Sequence, residues 1–598
     1  MALPLRKDVP QELTWDLSAL YADDAAFFAD LEKLAQKTTA FSARFKGQVT
    51  DAQQLTKALI ELEQLERYAT KIEHYAFLQQ ASDMTDPHYD HLLTQADQAL
   101  ATKEATLAFF ELEAANLDPT ELELVAQKTP RFASVIRHLK TAKKHQLPQA
   151  TEEALALLAP TFKAPENIYT TTRAADMRFS DFAVAGQTYP MSFVLYENTY
   201  QYHPDPEVRH KAFASFSKTL RRYQNTVAAT YYTQVAKEKT LATLRGYDSV
   251  VDYLLEQQES NRELFDRQID LIMEKLGPIM QRYVKLIQKE HGLDRLTFAD
   301  LQIDLDPTFA PKVKLADAPH YIKQAVAPLG SAYEKLVLRA FDERWVDFAL
   351  NEGKETGGFE TTPYGLHPYI LMSWTDELAD VYTLVHELGH AGQALLTMEN
   401  NSILGSEPSM YLVEAPSTFN ELLLTHSLTQ TSSDPRLERF AYTKMLTNTF
   451  YHNFVTHLLE AAFQREVYRL IDAGQTFDGA KLSEIKKQVL QRFWGEAVVI
   501  DDDAALTWMR QSHYYMGLYS YTYSAGLTIA TQAYLKLLAE PETTVKDWLA
   551  FLKLGDSLPP IAAAKVAGCD ISTKEPLENT LDFLAQTVER IETLTTQL

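Results

Sequence analysis

The chain has 598 residues, of which 46% are hydrophobic and 23% charged, the make-up of a folded protein too large for a single core. Its formal net charge is −24 and its pI about 5.1, a balance that speaks against nucleic acid or an anionic membrane surface as partner. A single cysteine, Cys569, precludes an intrachain disulfide and fits a reducing compartment, and the absence of any 18-residue apolar run predicts no membrane span.

Met1 to Pro10 is too polar for a signal peptide, so a cytoplasmic protein is expected. Thr14-Trp15-Asp16-Leu17-Ser18 opens the ordered part, with Trp15 as its anchor. To about residue 165 the pattern is one of successive amphipathic helices, with one stripe at Leu55, Leu59, Leu62 and Leu65 and another at Leu107, Phe110 and Leu112. Asp86-Pro87, Asp118-Pro119 and Thr129-Pro130 punctuate them. No metal-ligand spacing or phosphate loop occurs here, and His74, His88 and His91 are expected to be solvated or capping. Between Met177 and Tyr196 the rhythm shortens to that of a small β-hairpin turning at Ala185-Gly186-Gln187. A boundary is placed near 200, giving a structural region 1–200 and a chemical region 201–598.

His203-Pro204-Asp205-Pro206 caps a long helix running to about residue 241, and another runs from about Glu263 to His291. Asp304-Leu305-Asp306-Pro307 lacks the Gly and Glu of a calcium loop and is read as a loop. Gly357-Gly358, then the β-prone Leu366 to Trp374, predict an extended ribbon. An exposed edge there would bind a substrate backbone through strand addition, while a buried supporting strand is the equal alternative.

The segment that follows carries the chemistry. Leu378, Val381, Tyr382 and Val385 mark a helix containing His386-Glu387-Leu388-Gly389-His390, with Ser373 or Thr375 as N-cap. Four residues apart, the two imidazoles share one helix face and reach one ion, and Glu387 stands beside them as a base. With only 16 histidines in the chain, such a motif inside an apolar helix points to a zinc hydrolase. A catalytic zinc needs a third protein donor and one open position. Glu414 and Glu421 offer carboxylates seven residues apart, on one face if helical.

HELGH followed by Val413-Glu414-Ala415-Pro416-Ser417 and the further Glu421 resembles the thimet-oligopeptidase family, its oligoendopeptidase F branch in particular. The resemblance implies one zinc per chain, with Glu414 as third ligand and Glu421 holding a ligand histidine in its tautomer. Where the family often has another histidine, Gln393 stands here, at a position that is not a ligand. It also implies a mainly α-helical, two-lobed fold, with a deep channel partly walled by the first 200 residues. The acidic Asp501-Asp502-Asp503 reads as a helix start. The run from His513 to Gly526 holds five tyrosines, costly to bury without partners. It is similar to the family's segment that folds over the cleft. The expected roles are His513 and Tyr521 at the oxyanion, with Tyr515, Tyr519, Gly357 and Gly358 at the substrate. The function implied is zinc-dependent cleavage of internal bonds in short, unfolded oligopeptides. A carboxypeptidase or dipeptidase on the same scaffold is one alternative, and a non-catalytic peptide-binding scaffold with structural zinc another.

Overall fold

Helix-favouring stripes, aspartate caps and few glycines give a mainly helical protein. The structure, a computed structural model, describes residues 3–431 and 433–598; Met1 and Ala2 of the leading stretch lie outside the described residues. The chain divides into two compact units that alternate along the sequence. The first comprises Met1–Ala156, Pro311–Ser427 and Ala533–Cys569, and the second Leu157–Ala310, Leu428–Gln532 and Asp570–Leu598. Residue 200 falls inside the second.

In the first unit, α1 (Asp24–Phe45), α2 (Ala52–Ser82) and α3 (Pro87–Ala115) pack around Phe27, Leu34, Phe41, Leu55, Leu59 and Ile72. Each helix begins on an aspartate, Asp23, Asp51 or Asp86, whose side chain accepts a first-turn backbone N–H. The same core takes in Tyr369 and Leu371 of a three-stranded sheet. Its strands are β1 (Val346–Asp347), β2 (Phe359–Thr361) and β3 (Tyr369–Leu371), in the order β1-β3-β2. Central β3 pairs parallel with β1 and antiparallel with β2, in register Phe359 to Leu371 and Thr361 to Tyr369. β3 is therefore a buried support and β2 an edge. Trp15, 4% exposed, sets its ring edge-on to Tyr369 (6.2 Å, 89°) and ties the N-terminal segment to this sheet. On β1, Asp347, fully buried, receives Arg6 (2.5 Å) and Lys354 (2.6 Å). The Lys354 ammonium also donates to the carbonyls of Ala349 and Met372.

In the second unit a hairpin pairs Phe182–Val184 with Gln187–Tyr189. Ala185 and Gly186 form its turn, both at positive φ (48° and 85°), the geometry of a tight two-residue connection. The long helix Pro206–Leu244 begins at the Asp205 cap. Its Arg209 lies fully buried against Asp300 (2.7 Å). The stretch predicted as one helix over 263–291 is three pieces, Arg262–Leu271, a π-helical turn Ile272–Leu276, and Gly277–Glu290. A longer π-helical segment, Met445–Thr456, interrupts 437–471.

Candidate active site

The HELGH sequence lies on α4 (Leu378–Asn400), which buries Leu378, Val381, Leu384, Val385 and Leu388 in the first unit. Its N-cap is Glu377, not Ser373 or Thr375: Glu377 and Asp380 bond each other's backbone N–H reciprocally. Asp380 also accepts the N–H of Thr375 (2.6 Å), so the threonine is held by the cap and does not form it. A second helix, α5 (Glu414–Thr431), lies antiparallel to α4, joined through Tyr382 to Thr425 (3.0 Å), His386 to Glu421 (2.6 Å) and Asn420 to the Val385 carbonyl (3.2 Å). Gly389 permits the approach, since a Cβ there would stand 2.6 Å from the Pro416 carbonyl oxygen and from Ser417 Cα.

This packing brings His386, His390 and Glu414 together. Each imidazole Nε2 lies 3.6 Å from Glu414 Oε2, and the three donor atoms are within 4.8 Å of one another. The 3.6 Å separations are too long for hydrogen bonds. They approach the roughly 3.3–3.4 Å ligand-to-ligand spacing of a tetrahedral ion with bonds of about 2.0–2.1 Å. His386 Nδ1–H donates to Glu421 Oε1, which leaves the Nε2 lone pair facing Glu414. Ser417 Oγ donates to Glu414 Oε2 (3.0 Å) and steadies that carboxylate. Two imidazole nitrogens and one carboxylate form a donor set that fits a divalent transition metal, and binding one would displace any proton on Nε2.

Glu387 is 6% exposed, and burial, opposed by His386 and reinforced by Glu414 and Glu421, pushes its carboxyl up to about 7. Burial pulls His390 down to about 4. Burial also pulls on His386, but the Glu421 hydrogen bond and the surrounding carboxylates outweigh it and lift the group to about 10. The ribbon meets this helix at Gly358, where a Cβ would stand 3.1 Å from Thr383 Cγ2 and 3.2 Å from Glu387 Oε1. Gly357 adopts φ 95°, a conformation side chains disfavour. On β2, half-buried Glu360 is pushed up to about 8, first by desolvation and further by Glu387. Nothing in the sequence pattern had marked Glu360.

Residues 199–583 match the profile of Peptidase family M3, and residues 114–179 that of its N-terminal companion, Oligopeptidase F. The chain belongs to peptidase family M3. It is thus a metallopeptidase of oligopeptidase type, and its substrates are peptides. Oligopeptidase PepF of Bacillus subtilis is 26% identical over 99% of this M3 chain and 88% of its own length. A crystal structure from Chlamydophila abortus superposes with a TM-score of 0.85 at 23% identity, covering 99% of this chain and all of that one. Oligoendopeptidase-F from Enterococcus faecium gives 0.76 at 22% identity, over 96% of this chain and all of its own. Among the described residues of the M3 peptidase no helix is long and apolar enough to cross a membrane.

The His/Tyr run of this M3 chain belongs to the second unit, up to Gln532. His513 sits in a short 3-10 turn, Ser512–Tyr515, and donates from Nδ1 towards Glu460 Oε2 (3.4 Å). Tyr519, half-buried, accepts from the Tyr523 hydroxyl (3.1 Å). Tyr515 stacks on Tyr169 (4.8 Å, 24°), and its buried hydroxyl has no hydrogen-bond partner among the described residues. Tyr521 is 1% exposed; its hydroxyl donates to Gln258 (2.8 Å), and its ring meets Phe265 edge-on. The run is therefore mixed, with Tyr515 and Tyr521 inside and His513, Tyr519 and Tyr523 at the margin.

Proposed function

We propose that the chain is a zinc-dependent endopeptidase that cuts internal bonds of short, unfolded oligopeptides in the cytoplasm. The observation that carries this is the convergence of His386, His390 and Glu414 on one point, with Glu387 buried next to them. Bound there, zinc supplies Lewis acidity, polarising a peptide carbonyl and acidifying a water. Glu387 takes the proton of the attacking water and passes it to the departing amine, a task its place beside the ligand His386 on the same helix suits. Glu421 keeps His386 in the tautomer that leaves Nε2 free. The edge of β2, with Gly357 and Gly358 before it, offers backbone groups to an extended peptide, which favours sequence-tolerant recognition.

The family resemblance supports assigning His513 as a donor to the substrate carbonyl as it gains charge, and the half-buried Tyr519 is assigned beside it in place of the enclosed Tyr521. Tyr521, enclosed and bonded to Gln258, is assigned to holding its own helix, and Tyr515 to the packing beneath it. The test is mass spectrometry of a mixed peptide library digested before and after chelation. Internal cleavages that vanish with chelator and return with zinc are expected. Cleavage that survives complete metal removal overturns the reading, and products limited to one or two terminal residues make it an exopeptidase.

A further inference from the structure

A second group of ligand-type side chains lies in the second unit: His457, Glu460 and His513. His457 and Glu460 come from α6 (His457–Asp472), one turn apart on its first two turns. Glu460 is 1% exposed, and its Oε2 accepts from His457 Nδ1 (2.9 Å), Ser520 Oγ (3.0 Å) and His513 Nδ1 (3.4 Å). Ser520 opens α7 (Ser520–Ala539), so one carboxylate oxygen ties α6, α7 and the turn carrying His513. Behind it, His457 Nε2 accepts from His452 Nε2 (3.0 Å), a residue of the π-helical segment Met445–Thr456, a form of helix frequent at functional sites. The His457 ring stacks on Tyr523 (4.0 Å, 15°), whose hydroxyl donates to Tyr519.

The cluster has the His, Glu, His composition of a metal site, but its geometry is that of a hydrogen-bond network. His457 Nδ1 and Glu460 Oε2 are at hydrogen-bonding distance, and the same oxygen also accepts from Ser520 and His513. A buried carboxylate that accepts an imidazole Nδ1–H fixes the ring's orientation and favours the doubly protonated ring, whose Nε2–H is then the free donor. We infer that Glu460, held by His457 and Ser520, is a positioning residue that orients the His513 ring and leaves its Nε2–H as the free donor, while His457 aligns Tyr519 through Tyr523. This rests on His513 taking part in the reaction as proposed above.

A double-mutant cycle separates the two claims. Glu460→Gln, His513→Ala and the double variant are compared for kcat, KM, metal content and melting temperature on a fluorogenic peptide. Glu460→Gln should lower kcat roughly ten- to fifty-fold with KM nearly unchanged and one metal retained. In the His513→Ala background the same substitution should cost nothing further. In histidine-¹⁵N-labelled enzyme, the hydrogen-bonded Nδ1–H signal that disappears in His513→Ala should also disappear in Glu460→Gln. Should Glu460→Gln not fold, His457→Gln and Ser520→Ala carry the test, each expected to lower kcat by about three- to ten-fold, again only when His513 is present. A normal kcat in Glu460→Gln beside an impaired His513→Ala overturns the inference and leaves the assignment of His513 standing. Full activity in His513→Ala instead overturns the assignment beneath it. Additive losses, or a second equivalent of metal that only Glu460→Gln loses, also overturn the positioning role.

Discussion

Glu387 and Glu414 are carboxylates at one site with opposite surroundings, and substitution should separate them. Glu414 faces both ligand imidazoles, so Glu414→Ala should lose bound metal, read by atomic emission. Glu387 makes no such contact in the donor group. Glu387→Gln should keep the metal and lower kcat by roughly 10²- to 10⁴-fold. Tyr521 gives a contrasting case. Its enclosed hydroxyl bonds Gln258, so Tyr521→Phe should cost about 1 kcal/mol of stability and leave turnover per folded molecule nearly unchanged. Loss of kcat at unchanged melting temperature would return Tyr521 to the reaction. His386, Glu387 and His390 were legible because their spacing on one helix is itself the chemical signal. Glu460 was not, because it meets His513 across 53 positions and nothing local marks the encounter.

Between elements, the α4–α5 contact decides whether the metal ligands meet. A methyl group at Gly389 would collide with backbone at Pro416 and Ser417, which cannot rotate aside as a side chain would. Gly389→Ala should therefore cost about 1–3 kcal/mol of stability and, by displacing Glu414, lower metal occupancy, measurable by thermal melting with metal analysis. Unchanged occupancy would show that the site tolerates the displaced helix. The sequence made α4 legible through its apolar period and motif. The Glu377–Asp380 cap was obscured because Ser373 and Thr375 are equally good capping residues, and only the path of the chain chooses among them. The π-helical turns at Ile272–Leu276 and Met445–Thr456 were also hidden, since they continue the helical pattern with one more residue per turn.

At the scale of the molecule, buried carboxylates set the response to acid. Burial alone would raise Asp300, but hydrogen bonds from His210, Arg209 and Thr297 outweigh it and hold the carboxyl well below its usual range. Arg436 above all does the same for Asp306. A carboxyl lowered in the folded state adds stability above its unfolded pKa of about 3.9, and that stability is lost as pH falls towards the folded value. The urea midpoint should thus drop steeply below about pH 4. Asp300→Asn should be less stable at neutral pH and show a shallower decline in acid, and an identical decline would exclude Asp300 as a cause. Composition indicated more than one core, and the helical class was legible throughout. The interleaving of the two units was not, because long-range pairing such as Trp15 with Tyr369 leaves no local trace.

That interleaving also governs how the protein is made. The chain passes from one unit to the other five times, and the last segment of the first unit ends at Cys569. The α1–α3 helices emerge from the ribosome early, yet Tyr369 and Leu371, which complete their core, follow more than 250 residues after Ala115. At synthesis rates of about 5–20 residues per second, that apolar face waits roughly 13–50 s for its cover. The first unit lacks its last segment until Cys569 has been made, and the second until the helix that follows, so both are expected to complete their cores only late in synthesis.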